Sequence, residues 1–307
     1  MKNLIYPLII VTIGLTVSAC SFAPPLSATT PTSYSTDAQL PKPTSSLTPI
    51  HDDIPTPQII VDACGGDIQK LPLREVTDFP PDGIQACYVI EFDITVENEF
   101  SGKETILFFV NNKDASINDI VLRTYANANE IYGGELSITS IDIDQRRLTP
   151  MPLLDDGTAY RVTLPDQLKP GEAIKMEVAF QAKAPINFQP GNGYGIFNYD
   201  HKNALLAVAN GYPLLAEWEN GDWSYSPVIG QGDAVVSDTS LYRVFINAPT
   251  GTQVASTGTI IARERTGNQE EIEIVTGPAR DFLFIASPNL QQQTHIVDHP
   301  HSPMGHF

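Results

Sequence analysis

The sequence predicts an all-β protein built as one large antiparallel β-sandwich. From about residue 86 onward, short runs alternate apolar with polar residues at a period of two, as in residues 88–96. That period places successive side chains on opposite faces of a strand. Turn sequences such as Asp155-Asp156-Gly157 and Lys169-Pro170-Gly171 separate the runs. Because no run has the 3.6-residue period of an amphipathic helix, the spacing favours a sandwich.

About eleven such runs are present, and they are rich in the β-branched and aromatic residues that strands favour. We predict strands at residues 88–96, 104–110, 120–125, 135–143, 160–164, 174–180, 205–209, 240–246, 254–261, 271–275 and 281–286. Roughly one residue in six is proline or glycine, which fits short strands joined by many turns.

Residues 1–19 have the features of a secretory signal. A single lysine precedes an almost wholly apolar stretch at residues 4–17, which is shorter than the roughly 20 residues of a membrane-spanning helix. Val17-Ser18-Ala19-Cys20 resembles a lipobox, in which the cysteine receives a diacylglyceryl group. We therefore expect cleavage before Cys20 and a lipid anchor on the extracytoplasmic side of a cell membrane. The alternative is an ordinary signal peptide with a chance cysteine.

The remaining chain divides by composition. Residues 20–60 are dominated by proline, serine, threonine and alanine, a composition that cannot bury a core and favours a disordered linker. We place the folded domain at residues 61–290 and a flexible, histidine-rich tail at residues 291–307.

Charge excludes one class of partner. Acidic residues number 36 and basic residues 18, giving a formal net charge of −18, and no stretch is rich in lysine or arginine. A nucleic-acid backbone would be repelled by this balance, so we expect no nucleic-acid partner.

Two cysteines remain beyond Cys20, namely Cys64 and Cys87. An exported chain lies in an oxidising compartment, so we expect a disulfide that joins the segment before the domain to its first strand. Two free thiols or half of a zinc site are the alternatives. No CxxC pair or nearby histidine supports the zinc site.

An ordered set of segments goes beyond general sandwich patterning. They are YVIEFDI (88–94), SG (101–102), ETILFFVNN (104–112), LRTYAN (122–127), LPDQLKPGE (164–172), YP (212–213), GDW (221–223), GD (232–233), YRV (242–244), APTG (248–251), ASTG (255–258) and ARDF (279–282). In this order they resemble the N-terminal domain of the aminopeptidase N family of zinc metallopeptidases. The resemblance covers about residues 86–290. It implies a saddle-like β-sandwich that packs on a thermolysin-like catalytic domain.

The chain departs from that family in the residues that perform catalysis. It contains no HExxH motif, whose two histidines bind zinc while the glutamate activates water. The family's Gly-x-Met-x-Asn stretch is also absent, and Phe307 lies about where the catalytic domain should begin. No catalytic residue can therefore be assigned. We expect no cofactor in this chain, and zinc only with the missing catalytic domain.

These observations predict a membrane-anchored, non-catalytic N-terminal module that is either a truncated peptidase or a docking module. Its expected partners are the membrane, through the lipid on Cys20, and a metallopeptidase catalytic domain or peptides. One alternative is an active zinc aminopeptidase whose catalytic domain is encoded separately or downstream. A second is an unrelated adhesion or carbohydrate-binding sandwich.

Two further groups are candidate sites. Aromatic and acidic residues between 212 and 233 would suit a surface that recognises a cationic group, but packing of the aromatics in the core is the favoured interpretation. The members of this group are Tyr212, Glu217, Trp218, Trp223 and Asp233. Four histidines between residues 295 and 306 have a donor set that suits zinc, copper or nickel. Two prolines among them favour a flexible tail instead.

Overall fold

The computed structural model describes residues 64, 84–94, 97–110, 116–129, 131–187, 197–219, 221–230 and 235–291. These residues form eighteen β-strands and a short 3-10 turn at Tyr125–Asn127. In chain order the strands are β1 (Ile84–Asp93), β2 (Glu99–Val110), β3 (Ile117–Arg123), β4 (Glu135–Ile143), β5 (Arg146–Leu148), β6 (Met151–Pro152), β7 (Ala159–Leu168), β8 (Ala173–Lys183), β9 (Phe197–Asp200), β10 (Leu205–Ala209), β11 (Leu214–Leu215), β12 (Glu217–Glu219), β13 (Asp222–Ser224), β14 (Ser240–Pro249), β15 (Gln253–Ser256), β16 (Thr259–Thr266), β17 (Gln269–Ala279) and β18 (Leu283–Ser287). The predicted all-β class is confirmed.

The strands form one large sheet and several smaller ones. The large sheet has eight strands in the order β16-β17-β14-β1-β2-β8-β4-β5. Two four-stranded sheets have the orders β15-β18-β10-β9 and β11-β3-β7-β6, and β12 pairs with β13.

Alternation along β1 determines which face of the large sheet is buried. Tyr88 and Phe92 are on the inner face and are at most 2% exposed, whereas Glu91 and Asp93 point outward and are exposed. The ring of Phe92 lies 5.2 Å, centre to centre, from that of Phe284 in β18. The apolar half of the alternating pattern therefore forms the core.

Both four-stranded sheets lie against this inner face. Phe100 of β2 packs edge-on against Phe197 of β9, with 6.1 Å between the ring centres. Leu215 of β11 donates its backbone N–H to the hydroxyl of Tyr88 at 3.0 Å. The large sheet is thus one layer of the predicted sandwich, and the four-stranded sheets form the other.

The sandwich is not purely antiparallel, which corrects the prediction. Strands β1 and β14 pair in parallel, with Tyr88 opposite Tyr242 and Phe92 opposite Ile246. Short hairpins produce antiparallel neighbours, but β1 and β14 are separated by most of the domain. A long connection of this kind allows the parallel arrangement.

The structure also contains more strands than the eleven or so predicted. Six additional strands are too short to display a period, namely β5, β6, β9, β11, β12 and β13. The run predicted at residues 254–261 contains two strands, β15 and β16, which belong to different sheets. Gly258 lies between them, where a Cβ atom would approach Ile274 Cγ2 to 2.6 Å and the Val275 oxygen to 2.7 Å. Only glycine fits that turn without displacing β17.

Candidate functional site

The structure separates the five residues that the sequence groups as a recognition surface. Tyr212 is fully buried and Trp223 is 4% exposed. Glu217 and Trp218 are half-buried, and Asp233 lies outside the described residues. Because a buried ring cannot contact a ligand, Tyr212 is removed from this surface, and Trp223 contributes to packing instead.

Tyr212 belongs to a cluster of three tyrosines in the core. Tyr88 and Tyr242 stack with their ring centres 5.0 Å apart, and the Tyr212 ring lies 6.4 Å from each of them. Burial raises the pKa of all three hydroxyls well above the ordinary value, so the phenols stay neutral. Their hydroxyls satisfy buried backbone groups: Tyr212 accepts from the N–H of Phe282 at 2.7 Å, Tyr88 accepts from Leu215, and Tyr242 donates to the Arg280 oxygen at 3.0 Å.

The two tryptophans hold the β12–β13 hairpin against β3. Trp218 and Trp223 are cross-strand partners whose ring centres lie 5.0 Å apart in an edge-to-face arrangement. Trp223 donates its ring N–H to the backbone oxygen of Asp119 at 3.0 Å. The exposed end of the hairpin carries Glu219 and Asp222. Aromatic packing thus fixes the hairpin and leaves carboxylates at its tip.

A buried cation, which sequence reasoning missed, lies next to this hairpin. Arg123 at the end of β3 is 3% exposed. Its Nη1 donates to the backbone oxygen of Ser226 at 3.0 Å, and its Cζ lies 4.8 Å from the centre of the Tyr125 ring. Burial lowers the pKa of Arg123 from its ordinary value. Arg123 therefore fixes the start of the loop that follows β13.

Tyr125 fixes the same loop farther along. Its hydroxyl donates to the Val236 backbone oxygen at 2.8 Å and accepts from the Val236 N–H at 3.1 Å. The loop exposes two apolar side chains, Ile229 at 64% and, at the second anchor itself, Val236 at 39%. We call residues 225–230 and 235–239 the docking edge.

The outer face of the large sheet carries an open polar depression of about 470 Å³. Lys183 and Glu99 form an ion pair across it at 2.9 Å, and hydrogen bonding to Glu99 raises the pKa of Lys183. Carboxylates outnumber cations in the lining, so the chemistry suits polar or cationic groups. The lining residues are Asp93, Glu99, Phe100, Ser101, Glu135, Ser137, Gln181, Ala182 and Lys183.

The predicted disulfide is confirmed. Cys64 and Cys87 are bonded, with their Cα atoms 5.8 Å apart, and both residues are buried. They pack with Leu241 and Val275 in a small apolar cluster separate from the main core. Cys87 alternates with Tyr88 on β1, so this cluster lies on the outer face.

Other predicted features lie outside the described residues, namely Cys20, the linker at residues 20–60 and the histidines from 295 to 306. Within the described ranges, no group of three or more histidine, cysteine, aspartate or glutamate side chains is arranged to hold a metal ion. No helix in that part of the chain has the length and hydrophobicity to span a membrane.

No protein-family model matches the chain, and no curated protein matches it. Solved structures of zinc metallopeptidases do match. A two-domain M1 zinc metallopeptidase mutant bound to L-tryptophan is 14% identical, with a TM-score of 0.47, over 68% of this chain and 44% of that chain. The M1 zinc metallopeptidase from Deinococcus radiodurans is 14% identical, with a TM-score of 0.45, over 67% and 43% of the two chains.

This chain resembles the M1 zinc metallopeptidases. The likeness concerns the fold alone. The chain spans less than half the length of the enzymes to which it is similar, at 44% and 43%.

Proposed function

We propose that this chain is the lipid-anchored, non-catalytic N-terminal module of an aminopeptidase N-like metallopeptidase, and that it docks a zinc catalytic domain. The ordered sequence motifs support the assignment as an N-terminal module, and the lack of HExxH supports the lack of catalysis. The observation that carries the docking role is the docking edge, where buried polar groups hold a loop that exposes Ile229 and Val236.

Arg123 is a cation at a buried position. Burying a guanidinium costs free energy. An apolar residue of similar size at a buried position often stabilises a fold as much as the charged residue does. Arg123 and Tyr125 instead bind backbone groups of the loop at two points. The described segments at these two anchors therefore lose little conformational entropy when a partner binds their exposed apolar side chains.

Docking is tested by crosslinking the full chain in its native membranes and identifying the captured proteins by mass spectrometry. We expect capture of a protein with an HExxH zinc domain. Capture should fall at least about tenfold in Ile229→Asp, because a charge at the centre of an apolar contact is costly. Met151→Asp is the matched control, since Met151 is 53% exposed on β6, outside the docking edge. Capture of such a protein with equal yield from both variants would contradict the proposal.

The lack of catalysis is tested on the purified chain. We expect no cleavage of aminoacyl-nitroanilides after incubation with zinc, because the chain lacks the HExxH ligands. Turnover that a chelator abolishes and zinc restores would overturn this part of the proposal.

The lipid anchor rests on Val17-Ser18-Ala19-Cys20. Replacement of Cys20 by alanine removes the sulfur that would carry the diacylglyceryl group. We expect the Cys20→Ala protein to be absent from the membrane fraction or to keep its uncleaved signal sequence. The Ser21→Ala protein should keep the wild-type distribution between membrane and soluble fractions. Membrane fractionation with mass measurement of the mature N-terminus checks both outcomes.

A carbohydrate-binding or adhesion function has one observation in its favour, the polar depression on the outer face. Ser101, Ser137 and Gln181 present hydroxyl and amide groups there, which suit polyhydroxylated ligands. Glycan-array binding that is lost in Gln181→Ala and kept in Ile229→Asp would favour this function over docking.

A further inference from the structure

A buried acid lies on the inner face of the large sheet, away from the docking edge. Glu104 in β2 is 2% exposed, and both of its carboxyl oxygens lack a hydrogen-bond partner. It is opposite Ile90 of β1 on one side and Val178 of β8 on the other. The carboxyl group is therefore held among apolar side chains at the centre of the sheet.

Among the residues that the structure describes, no cation acts on Glu104, whose pKa shift is caused by burial. From β1 and β14 the titratable neighbours are Tyr88 and Tyr242, whose pKa values the Glu104 charge helps to raise. Asp238, which precedes β14, also raises the pKa of Tyr88. From β8 the buried neighbours in register are Met176 and Val178, which are apolar.

An ionised carboxylate in such a place is unfavourable because neither a hydrogen bond nor an opposite charge replaces its hydration. Burial accordingly raises the pKa of Glu104 well above its ordinary value. The neutral acid is the form that the core accommodates, although it too leaves its polar atoms without partners.

We propose that Glu104 is a proton-dependent lock of the sandwich core. As an uncharged acid it packs between β1 and β8. When its O–H bond breaks and the proton passes to solvent, the remaining charge loosens the inner face of the large sheet.

The direction of the pH effect follows from linkage. Below the ordinary pKa of glutamate, folded and unfolded chains both carry the proton, and stability is unaffected. Above it, the unfolded chain releases the proton while the folded chain keeps it, so stability falls as pH rises until the folded group itself ionises. The fold is thus favoured at mildly acidic pH.

Urea unfolding of the full chain at about pH 5 and about pH 8 tests this proposal. The folded-to-unfolded ratio of wild type should fall between the lower and the higher pH. This fall should exceed the fall in Glu104→Gln by a factor of at least about ten. Glu104→Leu, which removes the titrating group, should behave like Glu104→Gln. Glu91→Gln is the matched control, since Glu91 lies on the neighbouring strand and is exposed. It should follow wild type.

Parallel pH dependence of wild type and both Glu104 variants would overturn the proposal. A second measurement needs no variant. In wild-type protein labelled with carbon-13 at glutamate carboxyl groups, we expect one resonance in the protonated position at neutral pH. If every glutamate resonance of the folded protein is in the ionised position, Glu104 is not a proton-dependent lock.

Discussion

The two faces of the eight-stranded sheet differ in what they bury. On the inner face, the ring of Phe92 contacts Phe284 of β18, and the ring of Tyr88 contacts Tyr212, which precedes β11. On the outer face of the same strand, Glu91 and Asp93 are exposed. Because apolar and polar residues alternate along β1, side chains on one face pack in the core and stabilise the fold. Side chains on the other face can contact solvent or ligands.

The outer face itself differs from one end to the other. At one end Cys64 covers Cys87, Leu241 and Val275, so this end behaves as a small second core. At the other end is the open polar depression around the Glu99–Lys183 ion pair. Variants in the core, at the disulfide end of the outer face and at exposed positions should consequently differ in the free energy of unfolding. Three variants, two of them with an exposed or half-buried control, test this.

The largest effect is expected from Phe92→Ala. The Phe92 ring lies 5.2–6.1 Å from those of Phe100, Phe180, Tyr212 and Phe284, so its loss leaves a cavity and lowers the free energy of unfolding by about 3–5 kcal/mol. Glu91→Ala, one residue away on the outer face, should change it by less than about 0.5 kcal/mol. Urea titration of both variants measures the difference. Equal losses would contradict the distinction between the faces.

The disulfide is expected to contribute the next largest effect. It closes a loop with a sequence separation of 23 residues, and Cys64→Ala should therefore lower the free energy of unfolding by about 3 kcal/mol under oxidising conditions. Wild type treated with a reductant should unfold at the same lower urea concentration as the variant. No difference between oxidised wild type and the variant would show that the apolar cluster, rather than the bond, holds this end of the sheet.

The smallest effect is expected from Tyr212→Phe. This change removes the oxygen that accepts the Phe282 N–H at 2.7 Å and leaves that buried group without its partner, at a cost of about 1–2 kcal/mol. Tyr225→Phe is the control, because Tyr225 is half-buried outside the tyrosine cluster; it should cost less than about 0.5 kcal/mol. Similar values for the two variants would mean that the buried hydroxyl of Tyr212 makes no net contribution.

Much of the sandwich was predictable because several of its longer strands, such as β4 and β8, alternate between buried and more exposed residues. The predicted bounds of β4 (Glu135–Ile143) and β10 (Leu205–Ala209) are those of the structure. The boundary between β15 and β16 was not predictable, since Ser256-Thr257-Gly258 is compatible with a continuing strand. The parallel pairing of β1 with β14 depends on contacts between distant parts of the chain, which local periodicity does not encode.

The candidate sites were predicted less well than the fold. Tyr212 precedes the two-residue strand β11, which is too short for its burial to be inferred from alternation. Arg123 ends a strand with four consecutive buried residues, so no polar face marks it as unusual. Glu104 did carry a signal, because it is in phase with Ile106 and Phe108 on the apolar side of β2. A carboxylate in that phase indicates a buried acid.

The bond between Cys64 and Cys87 also has a mechanical consequence. Tension applied to the chain before Cys64 enters the domain at Cys87 through the sulfur atoms, so residues 65–86 carry none of it. Cys87 lies on β1, which is hydrogen-bonded to β14 on one side and to β2 on the other. A pull from the N-terminal side is therefore resisted by two ladders at once, and it acts on the middle of the large sheet instead of peeling away an edge strand.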